Sequence, residues 1–319
     1  MGGDDAPAAI VDGAVAAARQ LGVPVTLVGA EAALLAALAR HPAWRELPLD
    51  IVDAPDAVGM ADPPVASLRR RPRASIRVAS ELVAREQAGA VVSAGNTGAT
   101  VMAAHATFGM LTGVDRPALA TVIPTRGRPA VLLDAGANAE CRPQHLLQFA
   151  IMGAVHARLA LGVERPRVAL LSIGEEETKG NDLTREAHRL LKAAPLNFIG
   201  NIEGREIYSG DADVVVCDGF TGNIVLKTSE GLVEMVGAVL GDALRDVPAS
   251  RAPFEKFQRR MDYSEYGGAL LLGVAGLVVV GHGRSSPVAV QNAIGMAARY
   301  AADDFVSRVE REIVAATVS

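Results

Sequence analysis

Short apolar runs without polar alternation recur along the chain, and stretches of helical spacing lie between them. The apolar runs predict strands at 23–29, 48–53, 90–95, 118–125, 129–136, 167–174, 197–202 and 213–219, with more in the run 267–281. Helices are predicted at 31–40, 73–88, 97–108, 182–194, 222–246 and 286–316. In the second of these, Ile76, Ala79, Leu82 and Val83 recur at helical spacing. A further long helix opens at Pro143, a residue suited to a first helical turn, and reaches about Leu161. Strands that are apolar on both faces and separated by helices form a parallel sheet covered on both sides. The chain is therefore α/β. It reads as one domain over 1–319, with two α/β lobes as the alternative. Pro55–Pro72 and 246–266, rich in Pro, Arg and Ser, read as excursions from the sheet.

Composition narrows the function. Half of the 319 residues are apolar and 21% are charged, ample for a large core. A net charge of −5 and 4% aromatics leave neither a basic footprint nor stacking platforms for nucleic acid. Cys141 and Cys217 stand far apart, which suits a reducing cytoplasm and no disulfide or zinc framework. The start MGGDDAPAAI is acidic rather than a secretory signal. The apolar run Gly267–Gly281 falls short of the roughly 17–25 residues of a membrane span. The expectation is a cytoplasmic protein, at most peripheral on the inner face of a membrane. Of 31 basic residues only Lys179, Lys192, Lys227 and Lys256 are lysine.

Two of those lysines fall in or beside glycine-rich segments that follow strands, where parallel sheets bind ligands. The first such segment, VVSAGNTGAT, holds Ser93, Gly95, Asn96, Thr97 and Gly98. The second, LLSIGEEETKGN, holds Gly174, Thr178, Lys179 and Asn181. The third, VVVCDGFTGNIVLKT, holds Asp218, Gly219, Thr221, Gly222, Asn223 and Lys227. Glycine admits backbone N–H groups close to an anion, and a helix N-terminus adds positive potential. Asn and Thr add neutral donors, and lysine adds a mobile charge. Three such loops could converge on one phosphate. Strand-to-helix turns use the same residues as caps, so one loop alone decides nothing.

Other chemistries lack their marks. There is no G-x-x-x-x-G-K-[ST], no G-x-S-x-G and no dinucleotide fingerprint after a strand, so no cofactor is implied. His41, His105, His145, His156 and His188 read as structural. His282 in GHGRSS follows a buried strand and is a candidate for the site. Nothing near Cys141 marks an activated nucleophile. Glu175–Glu177 suit a divalent metal, but acids at a helix start read better as caps, and no metal is assigned.

At these residues the chain resembles the bacterial phosphate acyltransferase family. The resemblance rests on MGGDDAP, SAGNTGA, LLDAGANAEC, HLLQFAIMG, IGEEETKGN, GNIEGR, VVVCDGFTGN, VLKTSEG, DYSEYGGA, LLGV and HG, in family order over residues 1 to about 283. It implies an α/β/α sandwich with a mostly parallel sheet, similar to the isocitrate/isopropylmalate dehydrogenase and phosphotransacetylase group. It implies transfer of a fatty acyl group from acyl-carrier protein to inorganic phosphate in phospholipid synthesis, without a cofactor, by a homodimer with peripheral membrane association. Lys179 and Asn223 become the catalytic candidates. Ser93, Asn96, Thr97 and Asn181 become contacts to phosphate or the acyl head. The chain departs from the family at Asp5, where a histidine is usual, and at Leu270 and Ala275, where proline and asparagine are. It begins at the Met of the family's D-A-M-G-G-D, so a first strand is expected upstream of Met1. Arg69, Arg70, Arg71 and Arg73, or Arg251, Lys256, Arg259 and Arg260, are candidate docking patches for the acidic carrier, with a solvated surface as the alternative. The apolar side of 230–247 (Leu232, Met235, Val236, Val239, Leu240, Ala243, Leu244, Val247) suits a membrane surface or equally a core or dimer contact.

Overall fold

The computed structural model describes residues 1–245, 247, 251–261 and 267–318, without the side chains of Arg259 and 316–318. Most of DYSEYGGA and part of the 246–266 excursion lie outside the described residues. The chain forms two compact units, Met1–Pro117 with Tyr266–Val318, and Ala118–Glu265.

The first unit opens with α1 (Ala8–Leu21), β1 (Val25–Gly29), α2 (Glu31–Leu38), β2 (Leu49–Asp53), α3 (Pro64–Arg70), α4 (Ser75–Ala84), β3 (Val91–Ser93) and α5 (Thr97–Phe108). The second unit follows with β4 (Ala118–Ile123), β5 (Ala130–Leu133), α6 (Pro143–Leu161), β6 (Val168–Leu171), α7 (Asp182–Ala193), β7 (Phe198–Ile202), β8 (Val214–Val216), α8 (Gly219–Leu244) and α9 (Arg251–Met261). The chain then returns to the first unit with β9 (Ala269–Leu272), β10 (Val278–Val280), α10 (Pro287–Ala302) and α11 (Phe305–Val318).

In the first unit β3 pairs parallel with β10, β10 antiparallel with β9, and β1 parallel with β2. Its core gathers α1, α2, β1 and α10 around Val11, Val15, Leu34, Leu38 and Val290. Helix α1, rich in alanine and valine, crosses α10 closely: a Cβ on Gly13 would lie 2.5 Å from that of Val290. In the second unit the strands run β4-β5-β8-β6-β7, parallel except for β4 against β5. Strands β5, β6 and β8 are wholly buried, and α6 is buried at His145, Leu146 and from Phe149 to Ala157. That burial on both faces is why these strands read as continuous apolar runs.

Several elements differ from the sequence expectation. Helix α8 begins at Gly219 rather than 222, because the glycines that look like loop residues serve close backbone approach inside a helix. The C-terminal helical stretch breaks after Ala302, where Asp304 takes a left-handed φ of 50° and accepts a bond from Ser307 Oγ (2.7 Å). Helices α1, α3 and α9 were not expected. The last two lie in the stretches read as excursions.

Candidate active site

In the second unit β5, β8 and β6 are neighbours and parallel, with Leu133 opposite Val216 and Val216 opposite Leu170. Their C-terminal ends therefore release three segments side by side: 134–138, 217–223 and 172–181. The first escaped the sequence reading, although it stands in LLDAGANAEC. Asp134, buried completely, accepts N–H bonds from Leu119, Gly136 and Ala137 on Oδ1 (2.9–3.0 Å), and from the backbone and side-chain amides of Asn138 on Oδ2 (2.8 Å each). Burial pushes its pKa up, and the hydrogen bonds pull it down. All five partners are donors, so the segment is built around the carboxylate.

This segment fixes the start of α8. Gly219 N–H donates to Asn138 O (2.8 Å). A Cβ on Gly222 would lie 1.9 Å from Asp134 O, and one on Gly219 2.5 Å from Asn138 O. Asp218 caps the helix, accepting from Thr221 N and Thr221 Oγ1 at 2.8 Å each. Asp218, Gly219, Thr221 and Gly222 thus shape the turn. Asn223, one residue further on, is exposed, and its side chain lies over Gly136 with no hydrogen-bond partner among the described residues. A Cβ on Gly136, at φ 135°, would lie 3.5 Å from Asn223 Cβ. Lys227 is held in an ion pair with Glu230 (2.7 Å).

In the third segment the stem of Lys179 lies against Gly174, where a Cβ would be 2.8 Å from Lys179 Cγ. Gly180 turns the chain at φ 96°, with no room for a Cβ beside Thr184 Oγ1. Asn181 caps α7, accepting from Thr184 N (2.9 Å) and Thr184 Oγ1 (3.2 Å). The expectation that Glu175–Glu177 cap this helix is corrected: all three precede the Asn181 cap. Glu175 lies against Glu206, whose negative charge raises its pKa. Glu177 pairs with Lys192, which lowers its pKa. Among the described residues no group of three or more His, Cys, Asp or Glu is placed to hold a metal. Thr178 and Lys179 are exposed. Among the described residues Lys179 has no ion-pair or side-chain hydrogen-bond partner. Three apolar side chains on the same segments are exposed as well, Ile173 (81%), Phe220 (63%) and Ile224 (50%).

The first unit carries its own strand ends. Gly281 N–H donates to Ser93 O (2.7 Å), so the segments after β3 and β10 leave together. Ser93 Oγ bonds Thr100 Oγ1 (3.0 Å). Asn96 caps α5, accepting from Ala99 N (2.9 Å), and its amide donates to the carbonyls of Gly59, Met60 and Asp62 (3.1 Å each). Gly98 packs on Pro64 and Thr97 opens the helix. His282 Nδ1 accepts from Arg284 N (3.2 Å). The tight segment Gly2–Asp4 lies here too: a Cβ on Gly3 would be 2.6 Å from Ala94 O, and Asp4 N–H donates to Gly283 O (2.9 Å).

Residues 1–308 match the family described as "Fatty acid synthesis protein". The chain belongs to this family. A phosphate acyltransferase from Geobacter sp. (strain M21) is 49% identical over 308 residues, covering 94% of this chain and 87% of its own length. One from Acidobacterium capsulatum is 46% identical, covering 98% and 95%. Among solved structures, the EutD phosphotransacetylase of Staphylococcus aureus aligns with a TM-score of 0.59 at 18% identity, over 92% of each chain. A phosphotransacetylase from Streptococcus pyogenes gives the same score and identity. These two likenesses establish the α/β fold expected from the sequence.

In this family member the remaining candidates are embedded in the scaffold. His145, His156 and His188 are buried, and His41 Nε2 lies 2.7 Å from Asp12 Oδ1. Burial pushes the Cys217 thiol well up in pKa, and Cys141 Sγ contacts Asn138 O at 3.8 Å. Neither geometry is that of an activated thiolate.

Proposed function

We propose that this chain is a phosphate acyltransferase that moves a fatty acyl group from acyl-carrier protein to inorganic phosphate, the whole chain acting as one enzyme. The relatives that cover nearly its whole length support this reading, and the observation that carries it in the structure is the exposed Lys179 on a strand-end loop, whose side chain has no partner among the described residues. A phosphate oxygen attacks the thioester carbonyl carbon, the C–S bond breaks, and the carrier's thiolate leaves as the acyl phosphate forms. Phosphate is already an anion near neutral pH, so what the protein supplies is position and charge stabilisation. Lys179 neutralises phosphate and the developing oxyanion, and Asn223 donates an amide N–H to the same centre. Ile173, Phe220 and Ile224 supply apolar surface for the acyl chain.

Arg69 and Arg70, exposed and without ion-pair partners among the described residues, are the better docking patch for an acidic carrier. Arg71 and Arg73 are held by Asp62 and Asp53, and Arg260 donates to the carbonyls of Thr125 and Arg126. On α8, Leu232 (54%), Met235 (56%) and Val239 (62%) form an exposed apolar stripe, whereas Val236, Leu240 and Leu244 are half-buried on a side where Gly241 meets Phe254 of α9. Among the described residues no helix is long and apolar enough to cross a membrane. The stripe supports a homodimer contact or peripheral contact with the cytoplasmic face of a membrane. Flotation with anionic vesicles tests the second, and absence of binding excludes it.

The deciding experiment follows thiol release from long-chain acyl-carrier protein with and without phosphate, trapping product with hydroxylamine. Phosphate-dependent release with a trapped hydroxamate is the expected result. Activity with acyl-coenzyme A alone would instead make the chain a phosphotransacetylase. No release from either thioester would refute the enzymatic reading and leave a scaffold of lipid synthesis.

A further inference from the structure

Behind the Lys179 loop, two polar side chains are buried together: His188 on α7 (4% exposed) and Asn201 on β7 (6%). His188 Nδ1 lies 2.8 Å from Asn201 Oδ1, and Asn201 Nδ2 donates to Glu176 O at 3.1 Å. The same carbonyl accepts from Lys179 N–H at 3.0 Å. The direction of the chain is fixed by chemistry. A backbone carbonyl only accepts, so the amide nitrogen of Asn201 faces Glu176, its oxygen faces the ring, and His188 carries hydrogen on Nδ1. That leaves Nε2 toward Glu177 Oε1 at 3.5 Å, the carboxylate that also pairs with Lys192. The ring is held edge-on by Phe198, with centroids 5.1 Å apart. Burying an imidazole and an amide costs desolvation that only these bonds offset. Both contacts that lead out of the pair run to the segment of Lys179: the Glu177 carboxylate on the His188 side, and on the Asn201 side the Glu176 carbonyl that closes the turn before Lys179.

We propose that His188 and Asn201 are positioning residues, which hold the Glu176 carbonyl and through it set where Lys179 stands. The proposal deepens, and rests on, the reading of Lys179 as the group that binds the reacting anion. Neither residue touches that anion. Both act through a turn that is otherwise exposed, and a displacement of about 1 Å at such a group costs on the order of 10²-fold in rate.

The test couples two readouts. Asn201→Leu removes the donor to Glu176 O, Asn201→Ser shortens it out of reach while keeping the pocket polar, and His188→Asn retains a donor where Nδ1 stood. Hydrogen exchange of the 172–181 segment reads the position directly. Protection of the Lys179 amide is expected to fall in both Asn201 variants and to hold in His188→Asn. The second readout is acyl phosphate formation in a double-mutant cycle. The Asn201 variants are expected to lower kcat about 10–100-fold in the native background and to cost nothing further in a Lys179→Ala background, because residues acting as a unit are non-additive. Equal losses in both backgrounds, or unchanged exchange at Lys179, would overturn the proposal. Should Lys179→Ala alone keep full turnover, the reading of Lys179 falls, and hydrogen exchange then decides the positioning claim alone. Should Asn201→Leu not fold, Asn201→Ser carries the same two measurements.

Discussion

The segment after β3 in the first unit and those after β6 and β8 in the second are written in one alphabet of Gly, Asn, Thr and Ser, yet the structure uses them differently. In the first unit Asn96 is 9% exposed, and both ends of its amide are engaged, by Ala99 N and by three carbonyls of residues 59–62. In the second unit the capping side chains of Asn181 and Asp218 are engaged as acceptors, from Thr184 N and Thr221 N. What differs is a surplus: Lys179 stands two residues before its cap and Asn223 five after, both exposed and both without side-chain partners among the described residues. A polar residue at a strand-to-helix turn is therefore a functional candidate only once the cap position has been assigned to another.

The largest test of that contrast is kinetic. Lys179→Ala and Asn223→Ala are each expected to lower kcat about 10²–10³-fold, the cost of losing one donor at a developing charge. Because both side chains are exposed, denaturation midpoints should move little. Hydroxylamine-trapped acyl phosphate measures the first quantity and chemical denaturation the second. Near-normal turnover in a folded Lys179→Ala protein would remove the distinction between engaged and surplus side chains.

How much of this was legible follows from the same contrast. The long buried helix Pro143–Leu161 and the helix Thr97–Phe108 could be read to the residue, because proline at the first turn and asparagine at a cap are local signals. The buried strands were legible as apolar runs, but their order in the sheet was not, since strands apolar on both faces carry no register. The start of α8 was misplaced because Gly219 and Gly222 have the composition of a loop. Only the close approach of the 134–138 segment, distant in sequence, shows why glycine stands inside a helix. Lys179 and Asn223 could be found as residues in a pattern. That their side chains lack partners among the described residues could not, and neither could the role of Asp134, whose five donors come from the start of β4 and from its own turn. His188 reads as structural in the sequence, and the structure adds that it is tied to the loop of Lys179.

Stability supplies the second tier. Asn96→Ala is expected to destabilise by about 2–3 kcal/mol, combining a lost cap with carbonyls left without a donor. Its fall in turnover should follow the folded fraction rather than exceed it. Denaturation curves and activity on the same samples decide this: a rate loss far beyond the unfolded fraction would place Asn96 among the surplus residues after all. Smaller is the cost of Asn181→Ala, an exposed cap, at about 1 kcal/mol. That change should melt the first turn of α7 in hydrogen exchange before it alters the rest of the unit.

The smallest effect concerns what Asn96 holds. The 59–62 turn is closed by Asp62, which accepts from Gly59 N (3.0 Å) and pairs with Arg71, itself donating to Ala57 O (2.7 Å). The Arg71 guanidinium holds the Asp62 carboxyl below the usual carboxylate range, with the Gly59 N–H adding to the effect. A carboxyl whose folded pKa is lowered contributes stability that is fully present above its unfolded value of about 3.9 and is lost as the pH falls through the folded value. Protection of the 57–62 amides should therefore hold at neutral pH and decline on acidification below about pH 4, once exchange is corrected for its intrinsic pH dependence. Asp62→Asn should remove that decline while leaving the Lys179 loop unchanged. If acid instead loosened the Lys179 loop first, the surplus side chains would sit on the less securely held turn. The contrast between the two regions would then be one of stability as well as of hydrogen-bond use.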